Sequence, residues 1–119
     1  MKVMSVDDSR STRQFIKNAV DVMGFDFVEA VDGKDGLQKL EENPDIDLIL
    51  LDWNMPEMDG LEMLKRVKSD ERFKEIPVTM VTTEIEREKV IIAIEHGAKN
   101  YVMKPFSQED LVAKMMESM

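Results

Sequence analysis

Short apolar runs alternate with amphipathic segments along this chain, and four of the runs break off at polar residues. The breaks come at Asp7-Asp8 after Val3–Val6, at Asp52 after Leu48–Leu51, at Thr82 after Val78–Val81, and at Lys104 after Tyr101–Met103. Leu48–Leu51 is apolar at every position, which is typical of a central parallel strand covered on both faces. Ligands of an open parallel sheet bind beyond the carboxyl ends of its strands, so we expect the four breaks to meet in one pocket.

Apolar residues at helical spacing predict a helix after each strand. The first helix has Ser9 or Ser11 as its N-cap and ends at Gly24, and Phe27–Ala30 follows as a further strand. Turn and cap residues mark the other helix boundaries: Asp32-Gly33 and Asn43-Pro44 around the second helix, Pro56 before the third, and about Arg87 and His96-Gly97 around the fourth. The strand Val78–Thr82 comes before the fourth helix, and the strand Asn100–Met103 comes after it. The residues expected on the apolar helix faces are Phe15, Ile16, Ala19, Val20, Met23, Leu37, Leu40, Leu61, Leu64, Val67, Leu111, Val112, Met115 and Met116.

Five strand-helix repeats with short connections predict an α/β fold. It is a doubly wound, three-layer α/β/α sandwich around a five-stranded parallel sheet with five helices. The 119 residues are expected to form one domain, 1–119, because no linker or low-complexity segment divides them. A chain of this length buries enough surface to fold without disulfides or a structural metal.

Composition excludes several classes of function. The net charge of −9 and the isoelectric point near 4.6 disfavour binding to nucleic acid or to an anionic membrane through a broad electrostatic surface. The chain has no Cys, no apolar run near the roughly 18 residues of a membrane span, and no leader pattern at Met1. We therefore expect a soluble, cytoplasmic protein that neither inserts into a membrane nor binds nucleic acid by this chain alone.

Three members of the expected pocket are carboxylates, namely Asp7, Asp8 and Asp52. Like charges a few ångströms apart repel by roughly 1 to 4 kcal/mol per pair at surface-like dielectric, so this cluster calls for a counter-ion. Oxygen ligands favour a hard cation such as Mg²⁺ over Zn²⁺, and the chain has no Cys and a single distant His. Mg²⁺ is accordingly the expected cofactor.

The same residues suit phosphoryl chemistry. A free carboxylate at a strand end can attack phosphorus and form an aspartyl phosphate, which makes Asp52 the candidate nucleophile. Phosphoryl transfer needs cations around the equatorial oxygens, a role open to Mg²⁺ and Lys104, while Thr82 could donate a hydrogen bond. Taken singly, Asp7 or Asp8 could cap a helix, Asp52 could form a turn and Lys104 could be a solvated charge. Their joint placement at strand ends favours the pocket.

Five motifs in register carry a family resemblance over essentially the whole chain. They are Val6-Asp7-Asp8-Ser9, Leu51-Asp52-Trp53-Asn54-Met55-Pro56, Asp59-Gly60, Val81-Thr82 and Lys104-Pro105-Phe106. This set resembles the response-regulator receiver family, and within it the single-domain chemotaxis regulators. The resemblance implies a flavodoxin-like fold and a signalling switch driven by phosphorylation.

The resemblance also assigns roles to the pocket residues. It implies that Asp52 is the phosphoacceptor, that Asp8 binds Mg²⁺ directly and Asp7 through water, and that Asn54 binds it through its backbone carbonyl. Thr82 and Lys104 would then bind phosphoryl oxygens. The bond before Pro105 is expected to be cis. Such a protein catalyses its own phosphorylation and dephosphorylation and is not an enzyme acting on an outside substrate.

Partners follow from the resemblance in the same way. A sensor histidine kinase would supply the phosphoryl group, a phosphatase could remove it, and a downstream target such as a flagellar motor switch protein would receive the signal. Tyr101 would swing inward when Thr82 moves toward the phosphate, and it would alter an exposed partner face. That face is expected to include Ile85, Val90, Met103 and Lys114.

One position departs from the family pattern. Thr83 stands where Ala or Gly is usual, and its extra bulk is expected to affect kinetics by narrowing access to the pocket or hindering Tyr101. The family resemblance also implies that Glu84 tunes dephosphorylation.

Two other functions compete with a signalling switch. A metal-dependent phosphomonoesterase would use the same aspartyl phosphate, but that class wants an acid two residues after the nucleophile, where this chain has Asn54. A binding module independent of phosphorylation would tolerate a degenerate pocket, whereas here the set is intact. No Gly-rich phosphate loop follows the first strand, so nucleotide binding is not supported.

Overall fold

The computed structural model describes residues 1–55, 58–83 and 88–119. Its strands and helices alternate along the chain and are, in order, β1 (Lys2–Val6), α1 (Arg10–Val22), β2 (Asp26–Ala30), α2 (Gly33–Glu42), β3 (Leu48–Asp52), α3 (Gly60–Ser69), β4 (Val78–Thr83), α4 (Lys89–Glu95), β5 (Asn100–Lys104) and α5 (Gln108–Ser118). All strand pairs are parallel, and the sheet order is β2-β1-β3-β4-β5. The doubly wound α/β fold predicted from the repeats is confirmed.

Two apolar cores lie on opposite faces of this sheet. On one face, Met4 and Val6 of β1 pack with residues of α2, α3 and α4, among them Leu40, Met63 and Ala93. On the other face, the intervening strand residues, such as Val3, pack against α1 and α5. This alternation follows from the two-residue period of a strand, and β3 is buried along its whole length because both faces are covered.

Cap residues end the helices close to where the sequence predicts. Ser9 is the N-cap of α1, and its hydroxyl accepts a hydrogen bond from the Thr12 backbone N–H, so neither Ser11 nor the preceding aspartates cap this helix. Gly24 follows α1 with a φ of +74°, a left-handed conformation that costs Gly little. Asp32 caps α2, and Asn43 ends it.

Each strand runs one residue beyond its predicted range. β1 and β2 begin at Lys2 and Asp26, and β3, β4 and β5 end at Asp52, Thr83 and Lys104. The predicted beginning of the fourth helix at about Arg87 lies outside the described residues, as does the Pro56 turn.

The prediction that four residues of the last helix face inward is wrong for Met116. Leu111 and Met115 are buried one turn apart, and Val112 is half-buried, but Met116 is 66% exposed. Each helical residue is rotated by about 100° from the one before it, and this step carries Met116 off the apolar stripe.

Across the described residues, no helix has the length and apolarity that a membrane crossing requires.

Candidate functional site

Polar side chains from four strands meet at the carboxyl edge of the sheet. Asp7 follows β1, Asp52 ends β3, Thr82 lies in β4 and Lys104 ends β5. The parallel register explains the meeting, because Val6 is level with Leu51, Asp52 with Val81, and Thr83 with Lys104. Of the residues at the predicted breaks, Asp7, Asp8, Asp52 and Lys104 lie close together at this edge.

The three aspartates form a compact acidic cluster. Asp7, Asp8 and Asp52 each place one carboxylate oxygen within 4.8 Å of the others. Asp7 and Asp52 are buried, with 1% and 7% of their surface exposed, while Asp8 is exposed. Carboxylate oxygens converging from two strand ends suit a hard divalent cation, so the donor set fits Mg²⁺. Asn54 follows two residues after Asp52 and is exposed.

Asp7 is bonded through both of its carboxylate oxygens. Oδ1 accepts the Ser9 backbone N–H over 2.8 Å, and Oδ2 accepts the Lys104 ammonium over 3.2 Å. Among the described residues, Asp8 has no hydrogen bond or ion pair. The two neighbouring aspartates therefore differ in kind: one is held in place by the protein, and the other faces solvent.

Lys104 is the counter-ion shared by two carboxylates. Its Nζ lies 3.2 Å from Asp7 Oδ2 and 3.5 Å from Asp52 Oδ1. Burial opposes the charge on this ammonium, but Asp7 and then Asp52 outweigh that effect, so the pKa of Lys104 is raised above its ordinary value. Lys104 is therefore a fixed positive charge at neutral pH.

Thr82 supplies an uncommitted donor. Its side chain is only 1% exposed, and its Oγ1 has no hydrogen-bond partner among the described residues. A buried hydroxyl without a partner costs about 1 to 3 kcal/mol, which an acceptor bound in the pocket would recover.

Gly60 allows the β3–α3 connection to close behind the site. Its N–H donates to the Trp53 carbonyl over 2.9 Å, and a Cβ at this position would collide with the Asp52 carbonyl oxygen. Asp59 caps α3 immediately before it. The Asp59-Gly60 motif thus keeps the helix close to the strand end that carries Asp52.

Comparison with known proteins decides the family. The response regulator receiver domain matches residues 3–116. The chain belongs to this family. Receiver domains are switches of two-component systems that phosphorylation activates, so this protein is a signalling receiver.

Several relatives of this receiver domain are chemotaxis proteins. Chemotaxis protein CheY1 of Helicobacter pylori is 46% identical over 116 residues, which cover 97% of this chain and 94% of that protein. The Campylobacter jejuni CheY homolog is 41% identical over 97% of this chain and 89% of its own length. The solved structure of Vibrio cholerae CheY4 is 35% identical with a TM-score of 0.92, covering 99% of this chain and 98% of that one.

The predicted partner face of the receiver domain needs one correction. Val90 was expected to be exposed but is buried, with 6% of its surface accessible, because it lies on the inner side of α4. Ile91, Ile92 and Ile94 are exposed, and Ile91 and Ile94 line a groove with Val90 beside Tyr101. Ile85 lies outside the described residues, as does Glu84, the residue expected to tune dephosphorylation.

Tyr101, Met103 and Lys114 are half-buried on the same side of the receiver domain. The Lys114 ammonium lies 5.2 Å from the centre of the Tyr101 ring, within the range of a cation–π contact. Tyr101 also packs against the core under α2, α3 and α4. The predicted cis bond between Lys104 and Pro105 is present.

Two contacts near the site were missed from the sequence. Arg13 of α1 donates to the Asp7 carbonyl oxygen over 2.6 Å, and the Lys89 ammonium lies 5.6 Å from the centre of the buried Trp53 ring. The signal for Arg13 was available, because Ile16 and Val20 follow it three and seven residues later on the buried side of the helix. Thr83 is half-buried and lines a cavity with Lys104 and Phe106. The effect of its extra bulk on kinetics stays a prediction.

Proposed function

We propose that this protein is a chemotaxis response regulator in which Asp52 accepts the phosphoryl group. The observation that carries the proposal is the meeting of the acidic cluster, Thr82 and Lys104 at one edge of the sheet. The assignment to chemotaxis rests on the CheY relatives, which are 40 to 46% identical over nearly the whole chain.

In the proposed reaction, a carboxylate oxygen of Asp52 attacks the phosphorus of a phosphohistidine on a sensor histidine kinase. The new P–O bond forms as the P–N bond breaks, and the imidazole nitrogen leaves with the electron pair and takes up a proton. Lys104 lies beside Asp52 and donates to a phosphoryl oxygen. Thr82 offers its buried hydroxyl to another. Water attack on the same phosphorus returns Asp52 to its free state.

The metal ligands proposed are Asp7, Asp8, Asp52 and the backbone carbonyl of Asn54. Bound there, Mg²⁺ would offset negative charge on the phosphoryl oxygens. Asp8 suits direct ligation because it is exposed and lacks a protein partner among the described residues. Asp7 suits ligation through water because both of its carboxylate oxygens already accept hydrogen bonds.

The proposed output face surrounds Tyr101. Phosphorylation can favour a partner only if the phosphate contacts differ between two arrangements of the protein. Thr82 makes the differential contact, and Tyr101 carries the change to a surface with Met103 and Lys114. The proposed partner is a downstream target protein such as a flagellar motor switch component, and a phosphatase could act on the phosphorylated form.

A complementation experiment tests the proposed role. A strain of the source organism that lacks this gene receives either the wild type or Asp52→Asn, and spreading in soft agar is measured. The wild type should restore chemotactic spreading, whereas Asp52→Asn, which keeps the size of the side chain but removes the nucleophile, should not. Restoration by both proteins would contradict a phosphorylation-dependent role.

Transfer from a kinase tests the chemistry itself. The cognate histidine kinase, labelled on its histidine, should pass its label to the wild type within one turnover and leave Asp52→Asn unlabelled. The controls are Glu71→Gln and Asp26→Asn, which replace exposed acids. Asp26 is level with Lys2 at the amino ends of β2 and β1, and Glu71 follows the carboxyl end of α3, whereas the acidic cluster lies at the carboxyl ends of the strands. Both controls should be labelled like the wild type.

A further inference from the structure

Arg13 is a charged residue on the buried side of α1, and its bonds lead to the acidic cluster. Its side chain is nearly covered, with 8% of the residue exposed. Nη1 donates to the Asp7 carbonyl oxygen over 2.6 Å, and Nε donates to Glu29 Oε1 on β2 over 2.7 Å. Burying a guanidinium is costly unless it is paired and bonded, so these two partners account for how Arg13 is tolerated there.

The bond to the Asp7 carbonyl acts on two metal-site residues at once. That carbonyl belongs to the peptide unit that joins Asp7 to Asp8, and a peptide unit is planar. Fixing the carbonyl oxygen therefore fixes the direction from which the Asp8 backbone leaves the strand. Within the described residues Asp8 has no side-chain partner of its own, so its position depends on its backbone.

Asp7 itself is then bonded through every polar atom it has. Its N–H donates to the Ala30 carbonyl over 3.1 Å, and its carboxylate accepts from Ser9 and Lys104. Arg13 supplies the remaining bond, and Glu29 holds the guanidinium from the neighbouring strand.

We propose that Arg13 is a positioning residue for divalent cation binding: it orients the Asp7-Asp8 peptide unit, and Glu29 anchors it. This inference rests on the proposed metal site. Removing a group that orients metal ligands typically lowers metal affinity by about 10- to 100-fold. Arg13 contacts neither the metal nor the phosphoryl group in this account and acts only through Asp7.

The sign of the effect separates positioning from simple charge. A nearby positive charge repels a cation, so Arg13 acting only through its field would weaken Mg²⁺ binding, and its removal would tighten it. A purely structural Arg13 would change the stability of the fold and leave Mg²⁺ affinity unaltered. Only a positioning role predicts that Mg²⁺ binds more weakly when Arg13 is removed.

The experiment is a Mg²⁺ titration followed by the fluorescence of Trp53, the single tryptophan of the chain. Arg13→Met should bind Mg²⁺ about tenfold more weakly than the wild type. Arg13→Lys, which retains a donor for the Asp7 carbonyl, should bind more tightly than Arg13→Met. Unchanged or tighter binding in Arg13→Met would overturn the inference.

Glu29 provides a matched pair that keeps the inference testable if Arg13→Met does not fold. Glu29→Ala removes the anchor and should weaken Mg²⁺ binding, whereas Glu29→Gln keeps an oxygen for Nε and should bind like the wild type. Equal affinities in the two Glu29 variants would count against the anchor. Asp8→Ala tests the proposed metal site separately from the positioning role of Arg13. If this variant leaves the Mg²⁺ titration unchanged, the proposed metal site itself is wrong.

Discussion

The ammonium of Lys104 lies 3.2 Å from Oδ2 of Asp7, although 97 residues separate the two along the chain. The bond joins the end of β5 to the end of β1 across β3 and β4. It also brings the ammonium within 3.5 Å of Asp52, so one cation serves two buried carboxylates. A phosphoryl group on Asp52 would compete with Asp7 for this cation.

Replacing Lys104 by Met should destabilise the protein in the presence of a chelator. Breaking a buried ion pair costs about 3 to 5 kcal/mol, and a partly exposed one less, so we expect about 1 to 3 kcal/mol from urea unfolding. The loss should shrink in millimolar Mg²⁺, because bound cation stabilises the folded protein. In an Asp7→Asn background the same replacement should cost less, and an undiminished cost would show that the pair is not coupled.

The loss of folding stability at alkaline pH should depend on Lys104. Its pKa is raised in the folded protein, so its contribution is fully present below the unfolded pKa of about 10.4 and is lost as pH rises through the folded pKa. The wild type should therefore lose stability above about pH 10 more steeply than Lys104→Met. Parallel melting curves for the two proteins across this range would contradict the assignment.

Asp7 and Asp8 should respond in opposite directions to loss of charge. Asp8→Asn removes an exposed carboxylate that only repels its neighbours, so in chelator it should raise stability by about 1 kcal/mol. Asp7→Asn removes the charged acceptor of Lys104 and should lower stability. Thermal melting of both variants in chelator measures the difference, and equal shifts would mean that the two acids share one environment.

The strands were predictable because a central parallel strand such as β3 is covered on both faces and therefore has an unbroken apolar run, which is not typical of a surface segment. The site was predictable because the polar breaks fall at the carboxyl ends of those strands. Asp7 and Asp8 are adjacent, but the sequence did not reveal that one is held by Lys104 and the other is exposed. That difference arises from strand register and from side-chain direction, which appear only when the sheet is assembled.

The partner face was less predictable for a related reason. Val90 and Ile91 are both aliphatic and adjacent, and only the rotation of α4 decides that Val90 is buried and Ile91 exposed. The helix is short, Lys89–Glu95, so few residues define its apolar side. Arg13 was overlooked because a charge within an apolar helical stripe is easily taken for a solvated residue.

Coupling between the pocket and the partner face should pass through Thr82. A bound target peptide should raise the affinity for beryllofluoride, a phosphoryl mimic, by the same factor by which the mimic raises peptide affinity. In Thr82→Ala this mutual factor should fall toward one, although Asp52 still binds the mimic. Thr79→Ala serves as a control, because that hydroxyl is buried in β4 but bonded to Ser118. Full coupling in Thr82→Ala would show that the signal leaves the pocket by another route.

Intact-mass measurement after treatment with a small acyl phosphate tests the central claim most directly. With Mg²⁺ present, the wild type should gain one base-labile phosphoryl group, and peptide mapping should place it on Asp52. Chelator should abolish the gain, and Asp52→Asn should show none. Equal phosphorylation of the wild type and Asp52→Asn, or a phosphoryl group mapped to another residue, would contradict the account.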